Sequence, residues 1–399
     1  MKTKFFLNMI VQILIMSIHA QSVFDKTSVK AVMDKVNHYQ YTHPWQEFDD
    51  NWIRGTYYAG VMACYQATGD MAYLNQCNAL GEQLKWQLPV AKPESGASGA
   101  NLITLGQTWI ESYMVDKKDY KIKPLIDHLE NPAVKNPVSR PLDWYYEGGR
   151  HYVDGLFTGP PTLAMLYTIT KNEKYLQWMD AMVWDVYGKL YDNEANLFYR
   201  DMRYFPAARK TAAGKKVIWS RGNGWAFAAL ARLLKYMPKD YATYSRYENV
   251  FRTMAIALKK CQSDEGFWYP NLDDPDDIPI KETSGTSFFV YGFAYGINTG
   301  FLDKNEYLPV VEKAWKSLCE SINEEGKLQW GQLVGESPVP VKQEYSHEYV
   351  SGTFLLAASE VYKLTKTFLA EDEPVNSVHS DLQSECLEYM DYGFIIHNP

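Results

Sequence analysis

Cysteine is scarce in this sequence, and the cysteines that are present show no paired spacing. The 399 residues contain five of them, without a CxxC pair: Cys64, Cys77, Cys261, Cys319 and Cys386. An odd and scattered set argues against a disulfide framework and against a zinc site. We therefore expect mostly buried free thiols.

An excess of positive charge is absent as well. The chain has 40 Lys and Arg against 48 Asp and Glu, which gives a net charge of -8. A nucleic-acid partner requires a basic surface that neutralises phosphates, so we expect no such partner. Beyond the N-terminus, no segment has the roughly 20 unbroken apolar residues that a membrane span needs, so we expect no membrane partner.

The N-terminus has the pattern of a secretory signal peptide. Lys2 and Lys4 precede an apolar run from Phe5 to Ile18, and a cleavage position follows Ala20. We expect residues 1–20 to be removed on export. With no disulfide pattern, the periplasm is the expected location of the mature protein.

Aromatic residues are abundant: 30 Tyr, 17 Phe and 12 Trp make up 15% of the chain. One interpretation is a core in which large rings fill the space between helices. The other is a cleft in which flat rings stack on the apolar faces of sugars while the polar tips of Tyr and Trp meet hydroxyl groups. Composition leaves both open.

A loose sixfold repeat is the main indication of the architecture. Six small-residue segments each open an aromatic, apolar stretch, at intervals of roughly 50 to 70 residues. They are centred on Gly55, Gly106, Gly155, Gly224, Gly285 and Gly352. That spacing holds two helices per unit, and six pairs close into an inner ring wrapped by an outer ring. We predict an all-α (α/α)6 toroid as a single domain over residues 21–367, with an acidic tail over 368–399. A helical solenoid is the alternative, which the irregular period disfavours.

The segment from Tyr152 to Pro161 has the pattern of a helix start, with Asp154 near the beginning and prolines in the first turn. A carboxylate at this place has two possible roles. It can cap the helix, or it can be a catalytic acid held at the mouth of a pocket.

Several motifs in this order resemble the unsaturated uronyl hydrolases of glycoside hydrolase family 105. They are WIRGT (52–56), ITLGQT (103–108), VDGLF (153–157), WSRGNGW (219–225) and ETSGT (282–286). The resemblance extends from about Asp50 to Leu364 and implies an (α/α)6 toroid, in agreement with the repeat. It also implies an oligosaccharide substrate made by an upstream polysaccharide lyase, and catalysis without metal or cofactor.

The reaction implied by the resemblance is hydration of a double bond. A lyase leaves a 4,5-unsaturated uronic acid at the non-reducing end, and an acid of the hydrolase protonates C4 of this vinyl ether. Water adds at C5, and the product opens and releases the next sugar. One carboxyl group suffices for this chemistry, whereas ordinary glycosidases use a flanking pair.

By its position in the VDGLF motif, Asp154 matches the catalytic Asp of the family. Where family members have an Asp that assists at the substrate, this chain has Asn101, which can bind a hydroxyl but cannot share a proton. His151 is a candidate for tuning Asp154, and a structural histidine is the alternative.

The WSRGNGW motif implies substrate binding by four residues, namely Arg221, Asn223, Gly224 and Trp225. Arg221 offers a planar fork to a carboxylate, and the glycines let the backbone approach a ligand. Trp52 and Arg54 occupy the equivalent opening of the first unit. A structural ion pair is the alternative for Arg221, and core packing is the alternative for Trp52.

Arg200 and Arg203 stand where many family members have a His. Two cations near the first sugars would favour a sulfated, rhamnose-containing substrate such as ulvan over pectic rhamnogalacturonan; solvated surface arginines are the alternative. We therefore predict an unsaturated uronyl hydrolase acting on rhamnose-containing oligosaccharides. Two other functions are a polysaccharide lyase on the same toroid and a non-catalytic glycan-binding protein.

Overall fold

The computed structural model describes residues 23–47, 50–89, 99–131 and 151–371, with side chains up to residue 365. The predicted signal peptide, most of the predicted tail and Cys386 lie outside these residues. The helices in chain order are α1 Lys26–Thr42, α2 Trp52–Thr68, α3 Met71–Gln83, α4 Gly99–Leu102, α5 Gly106–Asp116, α6 Lys123–Glu130, α7 Gly155–Thr158, α8 Pro160–Thr170, α9 Lys174–Leu190, α10 Ser220–Tyr236, α11 Tyr244–Lys260, α12 Thr283–Asn298, α13 Lys304–Glu320 and α14 Glu348–Glu371. The strands β1 Tyr191–Asp192 and β2 Leu197–Phe198 form an antiparallel pair.

Six of these helices form a closed inner ring: α2, α5, α8, α10, α12 and α14. Each packs against the next in this order, and α14 packs against α2, so the ring closes. The other long helices lie outside it; for example, α9 packs against α8 and α13 against α12. The predicted (α/α)6 toroid is confirmed, and five of the six glycine-centred segments fall inside inner helices, while Gly155 begins α7.

Burial separates the two rings. Every residue of α12 from Thr283 to Ile297 is buried, because an inner helix has neighbours on all sides. Helix α11 buries one stripe only, in which residues three or four apart recur: Tyr244, Tyr247, Val250, Phe251, Met254, Ala255 and Leu258. The apolar and the amphipathic stretches of the sequence thus become the inner and the outer helices.

The third unit departs from the expected single helix. Helix α7 has one turn and ends at Thr158, and α8 begins at Pro160. Pro160 and Pro161 have no N–H group, so neither can continue the hydrogen bonding of α7, whereas both fit the first turn of a new helix. Asp154 therefore immediately precedes a separate short helix at the mouth of the ring.

Candidate active site

The inner helices begin at the same end of the toroid, and five rings from five different helices meet there. Trp225 is central, with ring centroids 4.4 Å from Phe288, 5.2 Å from Phe157 and 5.9 Å from Trp52. Tyr349 completes the set, 5.6 Å from Trp52. We call these five residues the aromatic floor. Trp52 is half-buried and the other four are buried, so much of the aromatic content serves the core directly beneath the site.

Asp154 precedes α7, yet its side chain makes no capping hydrogen bond to that helix. The side chain is 18% exposed. Within the described part of the chain, its Oδ2 atom has no hydrogen-bond partner. The capping role that the sequence left open is therefore wrong, and the carboxyl group is available for another purpose.

Of the cations in the described part of the chain, Arg200 is the one paired with this carboxyl group, with its Nε atom 3.4 Å from Asp154 Oδ2. The two segments are also joined through the backbone, since the N–H of Val153 donates to the carbonyl of Arg200 at 3.0 Å. The guanidinium lies 5.3 Å from the ring centroid of Tyr152. Arg200 is only 7% exposed, so its charge acts in a partly dry environment.

The protonation of Asp154 follows from these surroundings. Burial raises the pKa of its carboxyl group above the ordinary value, because it disfavours the charged form. Arg200 and Arg221 oppose this rise in pKa, whereas the charge of Asp201 adds to it. The raised pKa favours a neutral carboxyl that can donate a proton.

Asp201 holds both neighbouring arginines. Its carboxylate, which is fully buried, lies 2.7 Å from Arg200 Nη1 and accepts from Arg203 Nε at 2.9 Å. Burial alone would raise its pKa, but the hydrogen bonds from Arg203 and Arg200 hold the pKa below its usual value. Glu336 pairs with Arg203 from the other side. The two arginines thus face three carboxylates, and sulfate binding by them stays a prediction.

Arg221 directs its fork at the backbone of the loop that precedes α14. It donates to the carbonyls of Gln332, Leu333 and Gly335 at 2.9–3.0 Å. Its guanidinium also lies 4.5 Å from the ring centroid of Trp219. Arg221 therefore shapes the rim that carries Glu336, and its predicted contact with a substrate carboxylate stays a prediction.

Asn223 and Gly224 lie in the wall of the site. The Asn223 amide accepts from the N–H of Phe198 at 2.7 Å and donates to its carbonyl at 2.9 Å, which attaches β2 to α10. A Cβ atom at Gly224 would lie 2.9 Å from Phe288 Cβ, so this glycine permits the aromatic floor to pack. Their contact with substrate stays a prediction.

Arg54 is buried in an ion pair with Glu348, and it donates to the carbonyl of Gln46 at 2.8 Å. Asn101 accepts from the Tyr152 hydroxyl at 3.1 Å. His151 Nε2 lies 2.5 Å from Asp185 Oδ2. Asn101 and His151 thus flank the segment that carries Asp154, and Arg54 lies beneath the opposite rim.

Sequence reasoning missed the contribution of the sixth unit. Glu348 and Tyr349 begin α14, and the rim residues Gln332 and Glu336 precede it. A signal was present, because Tyr349 stands three residues before Gly352, as Trp52 stands three residues before Gly55, and His347 and Glu348 precede it directly. Charged and aromatic residues at that opening could have been assigned to the site by the repeat alone.

No cluster of three or more His, Cys, Asp or Glu side chains among the described residues could hold a metal ion. Of the helices in the described part, none combines the length and the apolar character needed to cross a membrane.

Comparisons with known proteins place this geometry in context. The model of Glycosyl Hydrolase Family 88 matches residues 24–365. The curated unsaturated 3S-rhamnoglycuronyl hydrolase of Formosa agariphila is 32% identical over 366 residues, covering 88% of this chain and 94% of that protein. A solved family 88 glycosyl hydrolase from Bacteroides vulgatus is 32% identical, with a TM-score of 0.77, and covers 85% of this chain and 99% of its own. A structure described as a polysaccharide lyase is 31% identical, with a TM-score of 0.75 over 88% of this chain and 99% of its own.

Proposed function

Because the chain belongs to glycosyl hydrolase family 88, and is therefore a glycoside hydrolase, we propose that it removes a 4,5-unsaturated uronic acid from rhamnose-containing oligosaccharides. The resemblance to unsaturated uronyl hydrolases, which was drawn from the motifs, is confirmed through the match to the family 88 model and to the solved family 88 structure. The name of the Formosa agariphila relative, an unsaturated 3S-rhamnoglycuronyl hydrolase, supports this class of substrate. The observation that carries the proposal is the carboxyl group of Asp154 at the mouth of the ring, which caps no helix and whose Oδ2 atom has no hydrogen-bond partner among the described residues.

The neighbouring carboxylates support a mechanism with one acid. Asp201 is held by Arg200 and Arg203, whose hydrogen bonds keep its pKa below the usual value, and Glu336 pairs with the same two arginines. Asn101, where family members have a second carboxyl group, cannot exchange a proton. A direct attack on the glycosidic bond requires two carboxyl groups in separate roles, whereas hydration of a vinyl ether needs one that acts twice.

In the proposed mechanism, neutral Asp154 transfers its proton to C4, and positive charge develops at C5 and the ring oxygen. Water adds at C5, and the ionised Asp154 accepts the proton that this water releases. The C5 hemiketal then opens by breaking its bond to the ring oxygen. The hemiacetal left at C1 collapses and expels the next sugar as an alcohol. The raised pKa of Asp154 favours the first step.

The proposed substrate comes from an upstream polysaccharide lyase, because elimination by a lyase is the reaction that creates the 4,5 double bond. We place this step in the periplasm, on the pattern of Lys2, Lys4 and the apolar run that follows. The sequence positions of Arg200 and Arg203 are the basis for a sulfated substrate of the ulvan type, whose sulfate would have to share these arginines with Asp201 and Glu336. A pectic rhamnogalacturonan fragment is the alternative.

The test is the ultraviolet absorbance of the unsaturated uronate, measured on lyase-generated ulvan and pectic oligosaccharides. Wild-type protein should remove the absorbance. Asp154→Asn should lower kcat/KM by about 10²–10⁴-fold, the usual contribution of a general acid. Asp127→Asn, which changes an exposed carboxylate on α6, is the matched control.

The same assay separates the other functions. The lyase-like structural neighbour makes a lyase the second candidate, and a lyase would increase the absorbance of intact polysaccharide. A glycan-binding protein would leave it constant in both assays. The proposed mechanism is wrong if wild type leaves every unsaturated oligosaccharide intact, or if Asp154→Asn is as active as wild type.

A further inference from the structure

Trp45 is the one exposed tryptophan among the residues that the structure describes, and 54% of it is accessible. It lies between α1 and α2, immediately before the N-terminal opening of the inner ring. An indole ring is a large flat apolar surface with one polar N–H group, and such rings are enriched where proteins bind partners. Its place beside the opening of the inner ring makes Trp45 a candidate contact for a ligand.

The backbone around Trp45 is held by a buried ion pair. The N–H of Trp45 donates to Glu348 Oε2 at 3.2 Å, and Arg54 donates to the carbonyl of Gln46 at 2.8 Å. Arg54 and Glu348 pair with each other and are 6% and 2% exposed. The ion pair between the first and the last inner helix thus holds the backbone of the segment that carries the exposed ring.

A line of rings connects Trp45 to the catalytic end. The centroid of Trp45 lies 4.7 Å from that of His347, which lies 5.5 Å from that of Tyr349. Tyr349 belongs to the aromatic floor and contacts Arg221. Arg221 in turn influences the titration of both His347 and Asp154. Trp45 is therefore separated from the aromatic floor by a single ring, that of His347.

His347 contributes a flat and uncharged neighbour. It is half-buried, and this burial, together with the positive charge of Arg221, lowers its pKa to about 4. The imidazole is consequently neutral near pH 7. An apolar indole beside a neutral imidazole, at the rim of a polar cleft, matches the apolar face of a pyranose ring.

We propose that Trp45 and His347 form a stacking subsite for a sugar beyond the first residue of the leaving group. This inference rests on the proposed function, because the unsaturated uronate is the non-reducing end and must lie at Asp154. The remainder of the substrate can then extend in one direction only, toward the reducing end. A ring platform at the outer end of the site accordingly meets the more distant sugars.

The experiment compares unsaturated disaccharide and tetrasaccharide from one lyase digest. For Trp45→Ala, the ratio of the tetrasaccharide KM to the disaccharide KM should rise about tenfold, while Trp45→Phe, which retains a flat ring, should recover most of the wild-type ratio. Tyr120→Ala removes a ring that is 49% exposed on the far 3₁₀ turn at Asp119–Lys121, and it should keep the wild-type ratio.

Binding to the Asp154→Asn protein, measured by calorimetry, provides a readout that does not depend on turnover. Adding Trp45→Ala should weaken the tetrasaccharide about tenfold relative to the disaccharide. Equal losses for both lengths, or none for either, would overturn the subsite. If wild type binds tetrasaccharide through Trp45 but consumes no substrate, the proposed function fails and the subsite stands.

Discussion

At the residue scale, Asp154 is defined by partners that are distant in sequence. Arg200 approaches its carboxyl group to 3.4 Å and is itself balanced by Asp201. Arg221 and Asp201 act on Asp154 over a longer range, in opposite directions. The proton affinity of the acid is therefore set by a small group of charges and by burial, and each charge can be removed separately.

Removing Arg200 should make Asp154 a weaker acid. The protonated form is the active one, so activity falls as the pH rises through the Asp154 pKa. Arg200→Met deletes a cation that lowers this pKa, and the alkaline limb of the kcat/KM profile should move to higher pH. The measurement is a pH–rate profile on unsaturated oligosaccharide.

The opposite charge deletion is the control for that shift. Asp201→Asn removes an anion that raises the Asp154 pKa, so the alkaline limb should move to lower pH. A merely structural effect of either substitution would lower the rate without moving the limb. Shifts in the same direction for both variants would contradict the electrostatic account.

At the scale of the elements, the starts of the inner helices carry residues of the site and also hold neighbouring segments in place. The start of α10 fixes β2 through Asn223 and the rim loop through Arg221. The start of α14 supplies Glu348, which binds Arg54 of α2 and the backbone of Trp45. The glycine-rich motifs thus organise the loops of the site, in addition to any contact with substrate.

Breaking the Arg54–Glu348 pair should be costly. Glu348→Gln leaves Arg54 buried without its counter-charge, and the free energy of unfolding should fall by about 3–5 kcal/mol in a urea titration. Asp127→Asn breaks an exposed pair, with side chains 69% and 58% accessible, and should cost less than about 1 kcal/mol.

The double variant Arg54→Met/Glu348→Leu removes both charges of this pair. It should be more stable than Glu348→Gln alone, because no unpaired buried charge remains. A double variant that is less stable than the single one would show that the pair acts through something other than charge compensation.

At the scale of the whole molecule, the toroid depends on close contact between its first and last inner helices. Gly352 of α14 packs against the backbone of α2, where an added Cβ atom would lie 2.5 Å from the carbonyl oxygen of Thr56. Gly60 of α2 faces the carbonyl of Gly352 in the same way. The ring is closed where two helix backbones touch.

Gly352→Ala should therefore destabilise the fold by about 1–3 kcal/mol or more, since backbone atoms cannot move aside as a flexible side chain can. Thermal unfolding of the purified protein measures the loss. Gly188→Ala on the outer helix α9 meets no atom within 4 Å, and it should be neutral or stabilising by up to about 1 kcal/mol. Equal effects of the two substitutions would contradict the importance of this contact.

Much of the architecture could be predicted from the sequence because it depends on local signals. The glycine-centred openings and the alternation of apolar and amphipathic stretches recur along the chain, and both correspond to helices of the expected ring. The break between α7 and α8 was not predicted, although Pro160 and Pro161 contain its cause. Prolines fit the first turn of a helix. The sequence does not distinguish one helix that begins near Asp154 from two helices, of which the second begins at Pro160.

The sequence by itself determined the sixfold helical repeat and the identity of the candidate acid, because hydrophobic period, turn residues and the VDGLF motif are local properties of the chain. The tertiary structure decided what surrounds that acid: Asp154 caps no helix, Arg200 lies beside it, and Arg221 holds the rim. It also joined Trp45 to the site through Glu348, 303 residues away. Such pairings arise only when the ring closes, since closure brings together helix starts from opposite ends of the chain.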